Sequence, residues 1–161
     1  MTRLIPPILA ALAAALAAGP PAASAAARHD RYERSVVRHV NAFRAHHGLP
    51  RVRSNRPLGR AADRHSRDML ARDFFAHQST NGTPFDHRIR RYLGAVVVGE
   101  TLAAVSPAGG PATVVRMWVD SPPHRAILLA GHFQRIGVGR RLGMLGATPQ
   151  AVVTADFASA R

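Results

Sequence analysis

The sequence predicts an α+β domain in which helices cover a small sheet, and three observations carry that reading. Apolar residues recur at helical spacing through the first and middle thirds of the chain. The last third, from Ile136 onward, reads as strand segments separated by glycine and proline. Runs of helices followed by antiparallel strands place the helices over a sheet, and with no cysteine in 161 residues, packing rather than disulfides must hold the layers together.

Residues 1–27 stand apart from the fold. Arg3 is a short basic stretch, Leu4 to Ala18 is apolar, and Ala23-Ser24-Ala25 or Ala25-Ala26-Ala27 offers small residues for cleavage, the pattern of a secretory signal peptide. The segment is short and alanine-rich for a membrane span, with an uncleaved anchor as the alternative. Residues 28–161 remain, enough for one domain with one core. From Arg28 to His47, Tyr32, Val36, Val40 and Phe43 form a helical stripe, arginines fill the other faces, and Gly48 and Pro50 end the run. Pro57 opens a second helix whose stripe Leu58, Ala62, His65, Met69 turns His65 inward, as a core histidine satisfied by one hydrogen bond or as a ligand. Phe74 and Phe75 are expected to pack, and His77 follows them on a polar turn that runs to Gly82. Thr83 and Pro84 start a short helix through Tyr92, with Thr83 as N-cap and Asp86 completing a partial capping box.

Ala95 to Val98 reads as a short strand or extended segment, and Leu102 to Gly110 as a loop. Pro111 begins a helix that turns Val114, Val115 and Trp118 to one side. Ser121 then caps a further helix, with Pro122 at its first position and His124 in its first turn, closed by Gly131. Ile136–Leu142 and Gln150–Ala158 form a hairpin around a loop from Gly143 to Pro149. Gly137 and Gly139 imply close backbone approach; Gly-x-Gly without a third glycine or a following helix is not a dinucleotide loop.

Without Arg3 the chain carries 21 arginines, no lysine and nine acids, a net charge of +12. Such a surface attracts anionic partners, wall polymer or acidic lipid, or simply keeps the protein soluble. Nucleic acid is not expected, because an export signal accompanies the charge and no recognition motif does.

Two positions stand out for chemistry. Glu100 is one of only two glutamates and abuts an apolar segment, where a buried carboxylate needs a cation, a metal or several N–H donors. His124 sits near unsatisfied N–H groups at a helix start, which favours a neutral ring able to ligate a metal or accept a proton; a plain surface histidine is the alternative.

With these residues read, the chain resembles the CAP superfamily (cysteine-rich secretory proteins, antigen 5, pathogenesis-related proteins), in its cysteine-free bacterial SCP-like branch. The matching pieces fall in order: Val40-Asn41-Ala42-Phe43-Arg44 to Leu49; Ala61 through His65-Ser66 to Met69; Phe74-Phe75-Ala76-His77; Gly99-Glu100; Trp118 through Ser121-Pro122 to His124-Arg125; and Ile136 to Gly139. The resemblance implies an α-β-α sandwich, a small antiparallel sheet with helices on both faces, across residues 28–161. It also implies a cleft of two histidines and two acids that binds a divalent cation such as Zn²⁺ in parts of the family. Carried over by position, these are His77, His124 and Glu100. The second acid has no clear match: Ser121 occupies its place and Asp120 lies one residue earlier. The chain further departs in Thr101, Pro123, Ala126-Ile127-Leu128 and Thr154-Ala155-Asp156-Phe157.

Such a cluster can hold a metal through His77, His124 and Glu100, can hydrolyse an ester or amide with Glu100 as general base, or can order the cleft as a metal-free polar cluster. A serine nucleophile at Ser79 or Ser121 lacks a visible oxyanion-hole loop. Two functions follow. One is a secreted, monomeric, non-catalytic module of the cell envelope or medium, with no membrane span after cleavage, engaging an anionic or lipidic ligand. The other is a zinc-dependent hydrolase; no contiguous His-Glu-x-x-His signature accompanies it.

Overall fold

The computed structural model describes residues 22–94 and 97–160, with side chains from Arg31 onward. Residues 1–21 of the expected leader and Ala95-Val96 of the expected extended segment lie outside them. The order is α1 (Ala22–His46), β1 (Arg53–Ser54), α2 (Arg56–Ala71), α3 (Phe85–Arg90), β2 (Val98–Val105), α4 (Pro111–Asp120), α5 (Pro122–Leu129), β3 (Phe133–Leu145) and β4 (Thr148–Ser159). Helix α1 starts upstream of the expected cleavage site. It ends as its sequence implies, with Gly48 at φ 67° and Leu49 N–H returning to Arg44 O.

The four strands lie in the order β1-β3-β4-β2. The β3/β4 and β2/β4 pairs are antiparallel, but β1 joins β3 in parallel, so the sheet is mixed rather than wholly antiparallel. The added edge has a cause outside its own two residues: buried Asn41 on α1 clasps both backbone groups of Val52, and Asn55 N–H continues onto Ile136 O at 2.8 Å. Helices α1, α4 and α5 cover one face through a large apolar cluster containing Val36, Val40, Trp118, Leu128 and Phe157. Helices α2 and α3 lie on the other, over smaller groups around Leu58 with Ile89 and around Met69 with Leu102.

On that second face the glycines fix how near the helix comes. A Cβ on Gly137 would lie 2.1 Å from Gly59 N and Leu58 C, and one on Gly139 2.2 Å from Asp63 N, so α2 rests on bare strand backbone. The close approach expected of these glycines is what the structure shows.

Several local expectations are corrected. Pairing with β4 carries β2 on from Leu102 to Val105, where a loop was expected, because the register matches every residue out to Val105 and Ala151. The hairpin loop shrinks from 143–149 to two residues, since Leu145 pairs with Thr148 and Gly146 turns at φ 58°. Pro84 rather than Thr83 occupies the N-cap of α3, and neither it nor Ser121 before α5 makes a side-chain cap bond. Phe74 packs against the Met69 group, but Phe75 is exposed. Arg44, expected on the surface, is fully buried. It donates to the carbonyls of Leu128 (2.7 Å) and Ala130 (3.0 Å) at the C-terminal end of α5, where a cation complements both the unpaired carbonyls and the helix dipole.

Candidate functional site

Three separate anchors deliver the three expected site residues to one place. The loop carrying His77 is tied at Ala76 O by a 2.9 Å bond from His65 Nε2, and at His77 O by Arg88 Nη1 at 3.0 Å. Glu100 sits in mid-strand on β2, where alternation turns it to the α2 side with Leu102. His124 rides on the first turn of α5, which Arg44 fastens at its far end, while Trp118 Nε1 donates to Leu102 O at 2.9 Å and pins α4 to β2.

The result is convergence. His77 Nδ1 lies 2.9 Å from Glu100 Oε1, and the rings of His77 and His124 face each other with centroids 6.2 Å apart. Glu100 has no proton to give, so Nδ1 of His77 is the donor and Nε2 is left toward the cleft. The side chain of His77 is 47% exposed and that of Glu100 1%, which makes the imidazole the reachable group and the carboxylate its buried support. The cation that a buried Glu100 requires is Arg88, bonded to Oε2.

Asp120 does not join them. It is exposed at the end of α4, and among the described residues it makes no hydrogen bond to the cluster. The acid that does stand beside Glu100 is Asp156, its direct register partner on β4. It is fully buried, and among the described residues neither of its oxygens meets an N–H or O–H donor. Below it, Thr154 Oγ1 pairs with Ser66 Oγ of α2 at 2.9 Å.

Burial alone would push the Glu100 carboxyl up. The hydrogen bond from His77 and the charge of Arg88 outweigh it and hold Glu100 below the ordinary range. Asp156 is pushed the other way, well above the ordinary range, by burial and by the charge of Glu100. The pair therefore carries one negative charge, on Glu100, with Asp156 as the protonated partner that can donate to it. His124 is held low by burial and by His77, and His65 by burial, so both are neutral rings near pH 7.

The sequence reading did not single out Arg88 or, as a site group, Asp156. The demand of Glu100 for a cation pointed to a residue such as Arg88 without naming it among 22 arginines. Asp156 carried a stronger signal: it is the one charged residue between Ala151 and Ala158.

For a divalent cation the donor set is two imidazoles. The His124 ring makes no hydrogen bond among the described residues, and Nε2 of His77 is backed by a carboxylate on the opposite nitrogen, the arrangement that orients ligating histidines. Both oxygens of Glu100 are already engaged. Accordingly, among the described residues no three His, Asp or Glu side chains are disposed to hold a metal ion. Any metal held by the two rings would have to draw its remaining ligands from water or a bound molecule.

A sequence model described as the cysteine-rich secretory protein family, CAP, matches residues 37–143. The chain is similar to the uncharacterized protein YkwD of Bacillus subtilis, at 35% identity over 72% of this chain and 45% of that protein. It is also similar to the uncharacterized membrane protein YlbC of the same organism, at 31% identity over 66% of this chain and 31% of that one. The matched stretch thus spans less than half the length of these relatives. In three dimensions it resembles an extracellular protein containing a SCP domain from Bacillus anthracis, with TM-score 0.74, 23% identity, 89% of this chain and 45% of that one. An outer surface protein of Borrelia burgdorferi follows with TM-score 0.65, 18% identity, 79% of this chain and 92% of that one. At these identities the structural likenesses speak for the fold. Among the described residues no helix is long and apolar enough to cross a membrane.

Proposed function

The chain belongs to the cysteine-rich secretory protein (CAP) family, and from that premise we propose that it is an exported binding module whose cleft presents His77 and His124 to a ligand, with a divalent cation such as Zn²⁺ as an optional bridge. The observation that carries this reading is the division of labour between His77 and Glu100. A buried carboxylate fixes the tautomer of an exposed imidazole, and a neutral second imidazole faces it. A metal held there would supply Lewis-acid attraction for an oxygen-bearing ligand; the chain itself supplies two oriented nitrogens and a rigid floor.

The hydrolase alternative asks Glu100 to act as general base on a water in the cleft. Its two oxygens are bonded to His77 and Arg88 beneath the surface, so no observation favours that use, whereas binding asks nothing further of them. Export is supported by the leader pattern and by the extracellular and surface proteins that share the fold. The excess of arginine supports an anionic partner, whose affinity should fall steeply with salt.

Zinc titration of the full chain by calorimetry tests the reading. One ion per chain is expected, with affinity falling on acidification, because a protonated imidazole cannot ligate. Glu100→Gln should weaken binding roughly 10- to 100-fold, as loss of an orienting partner does. The double variant His77→Ala/His124→Ala should abolish it. Undiminished zinc uptake in that double variant would remove the cleft as the site.

A further inference from the structure

A cavity of about 300 Å³ lies between α2 and the turn at residues 79–83, and neither His77 nor His124 lines it. Its walls carry Arg64, Arg72, Arg88 and Arg91 against a single acid, Asp68. Two of those charges are already matched. Arg72 Nε is 2.7 Å from Asp68 Oδ1, and Arg88 is bonded to Glu100. Arg64 and Arg91 are exposed, and their side chains make no hydrogen bond or ion pair among the described residues, so the rim carries two uncompensated guanidinium groups.

The neutral groups of the wall are set to donate as well. Ser79 Oγ accepts from Arg88 Nη1 and Thr80 Oγ1 from Arg72 Nη1, both at 3.3 Å, so each hydroxyl hydrogen remains to be given. Asn81 Oδ1 is taken by Thr83 N–H at 3.1 Å, which leaves the two amide hydrogens of Asn81. The turn is built in advance by Gly82 N–H to Ser79 O (2.9 Å) and Ser79 N–H to Thr83 O (3.0 Å). A preformed cavity with a surplus of donors and unmatched positive charge calls for a ligand rich in acceptors and negative charge, and a guanidinium fork matches a phosphate group in particular. The volume lies at the lower end for ligand pockets, which sets the ligand's size.

We propose that this cavity binds the phosphate ester of a small polyol, the phosphate held at the rim by Arg64 and Arg91 and the hydroxyls along Ser79, Thr80 and Asn81. The site is separate from the cleft and stands whether or not the cleft takes a metal. Arg88 is the wall between them, since the same Nη1 that reaches Ser79 also bonds His77 O. The ester reaches the chain either as a free monoester or as the headgroup of an anionic lipid.

Calorimetric titration of the full chain with inorganic phosphate, glycerol 3-phosphate and glycerol, at low ionic strength, tests this. Saturable 1:1 binding of glycerol 3-phosphate is expected, weaker binding of phosphate, and none of glycerol. The double variant Arg64→Ala/Arg91→Ala should lose at least roughly tenfold in affinity. Arg56→Ala/Arg60→Ala, which removes the same charge from exposed positions at the start of α2, should stay within about twofold, since only nonspecific attraction is lost. Equal weakening in both double variants, or no saturable binding, would overturn the proposal. Should the first variant lose its cooperative melt, amide shifts in the unaltered chain decide: phosphate-induced shifts confined to 64, 79–83 and 91 support the site, and shifts absent there overturn it. Phosphatidylglycerol vesicles identify the source. Co-sedimentation lost in Arg64→Ala/Arg91→Ala assigns the headgroup, and co-sedimentation unchanged beside lost glycerol 3-phosphate binding assigns the free ester.

Discussion

The two faces of one sheet are built on opposite rules. On β4, Ala151, Val153, Ala155 and Phe157 point into the apolar cluster under α1, α4 and α5. The intervening Val152, Thr154, Asp156 and Ala158 lie under α2 and α3, where glycine backbone, a hydroxyl pair and two carboxyl groups separate two smaller aliphatic groups. The first face supplies most of the burial that stabilises the fold; the second accepts buried charge and an underpartnered acid because the first is there. The site residues are held from the second face, and only His124 comes from the helices of the first. The first face buries one charge, Arg44, and meets it with carbonyls, whereas among the described residues the second leaves Asp156 without a donor, the kind of departure expected where a site is built.

The sharpest way to break that contrast is to give the second face a side chain. In Gly137→Ala the new methyl meets α2 backbone at 2.1 Å, and no side chain can move aside to receive it. A loss of at least about 3 kcal/mol is expected, at the upper end for overpacking, measured by chemical denaturation. A loss below about 1 kcal/mol would show that α2 lifts freely and that the glycines do not set its height.

The next largest effect separates the faces by pH. Arg88→Leu leaves Glu100 buried without its cation, a change expected to cost on the order of 3–5 kcal/mol near pH 7. Phe157→Ala, on the apolar face, should cost a similar amount, about 3–5 kcal/mol, through the cavity it leaves. Their pH profiles should differ. Glu100 is held below its ordinary range in the folded chain, so its contribution is present above that range and is lost as pH falls through the folded value. The Arg88→Leu deficit should therefore shrink on acidification, because a protonated Glu100 needs no cation, while the Phe157→Ala deficit stays flat. Parallel profiles would mean that Arg88 acts through packing alone.

The contrast also explains which parts of the molecule were legible in the sequence. Helical stripes such as Val36-Val40 and Leu58-Ala62-His65-Met69 state their own burial, and Gly137 and Gly139 declare a close approach without saying of what. His77, Glu100 and His124 came from the family resemblance together with the scarcity of glutamate, and the geometry brings them together. Legibility failed where a residue's role is set by a partner far along the chain. Arg44 looks like any surface arginine until α5, 84 residues later, presents its carbonyl ends. Arg88 is hidden the same way by Glu100. Leu102–Val105 has no strand signal strong enough to compete with the following Pro-Gly loop, and only β4 makes it a strand. Asp120 was sought as the second acid by position relative to Trp118, yet the helix leaves it exposed, and the acid beside Glu100 arrives instead from the last strand.

That last acid yields the smallest expected effect and the most specific one, because its direction is opposite to the usual outcome of altering a buried residue. Among the described residues Asp156 has no N–H or O–H donor; it faces Glu100, and burial with the neighbouring charge keeps its carboxyl protonated well above the ordinary range. The unfolded chain releases that proton above about pH 3.9, and the folded chain does not. The term is thus absent at low pH and destabilises folding increasingly as pH rises toward the folded value, at about 1.4 kcal/mol for each unit of displacement. Asparagine has the same shape, cannot ionise in either state, and still offers an N–H to Glu100. Asp156→Asn should therefore stabilise the chain by about 1–3 kcal/mol at pH 7, with the gain vanishing near pH 3, read from denaturation curves at the two pH values. Destabilisation at pH 7 would mean that Asp156 is ionised in the folded chain and held by a donor, and that the second face carries two negative charges rather than one.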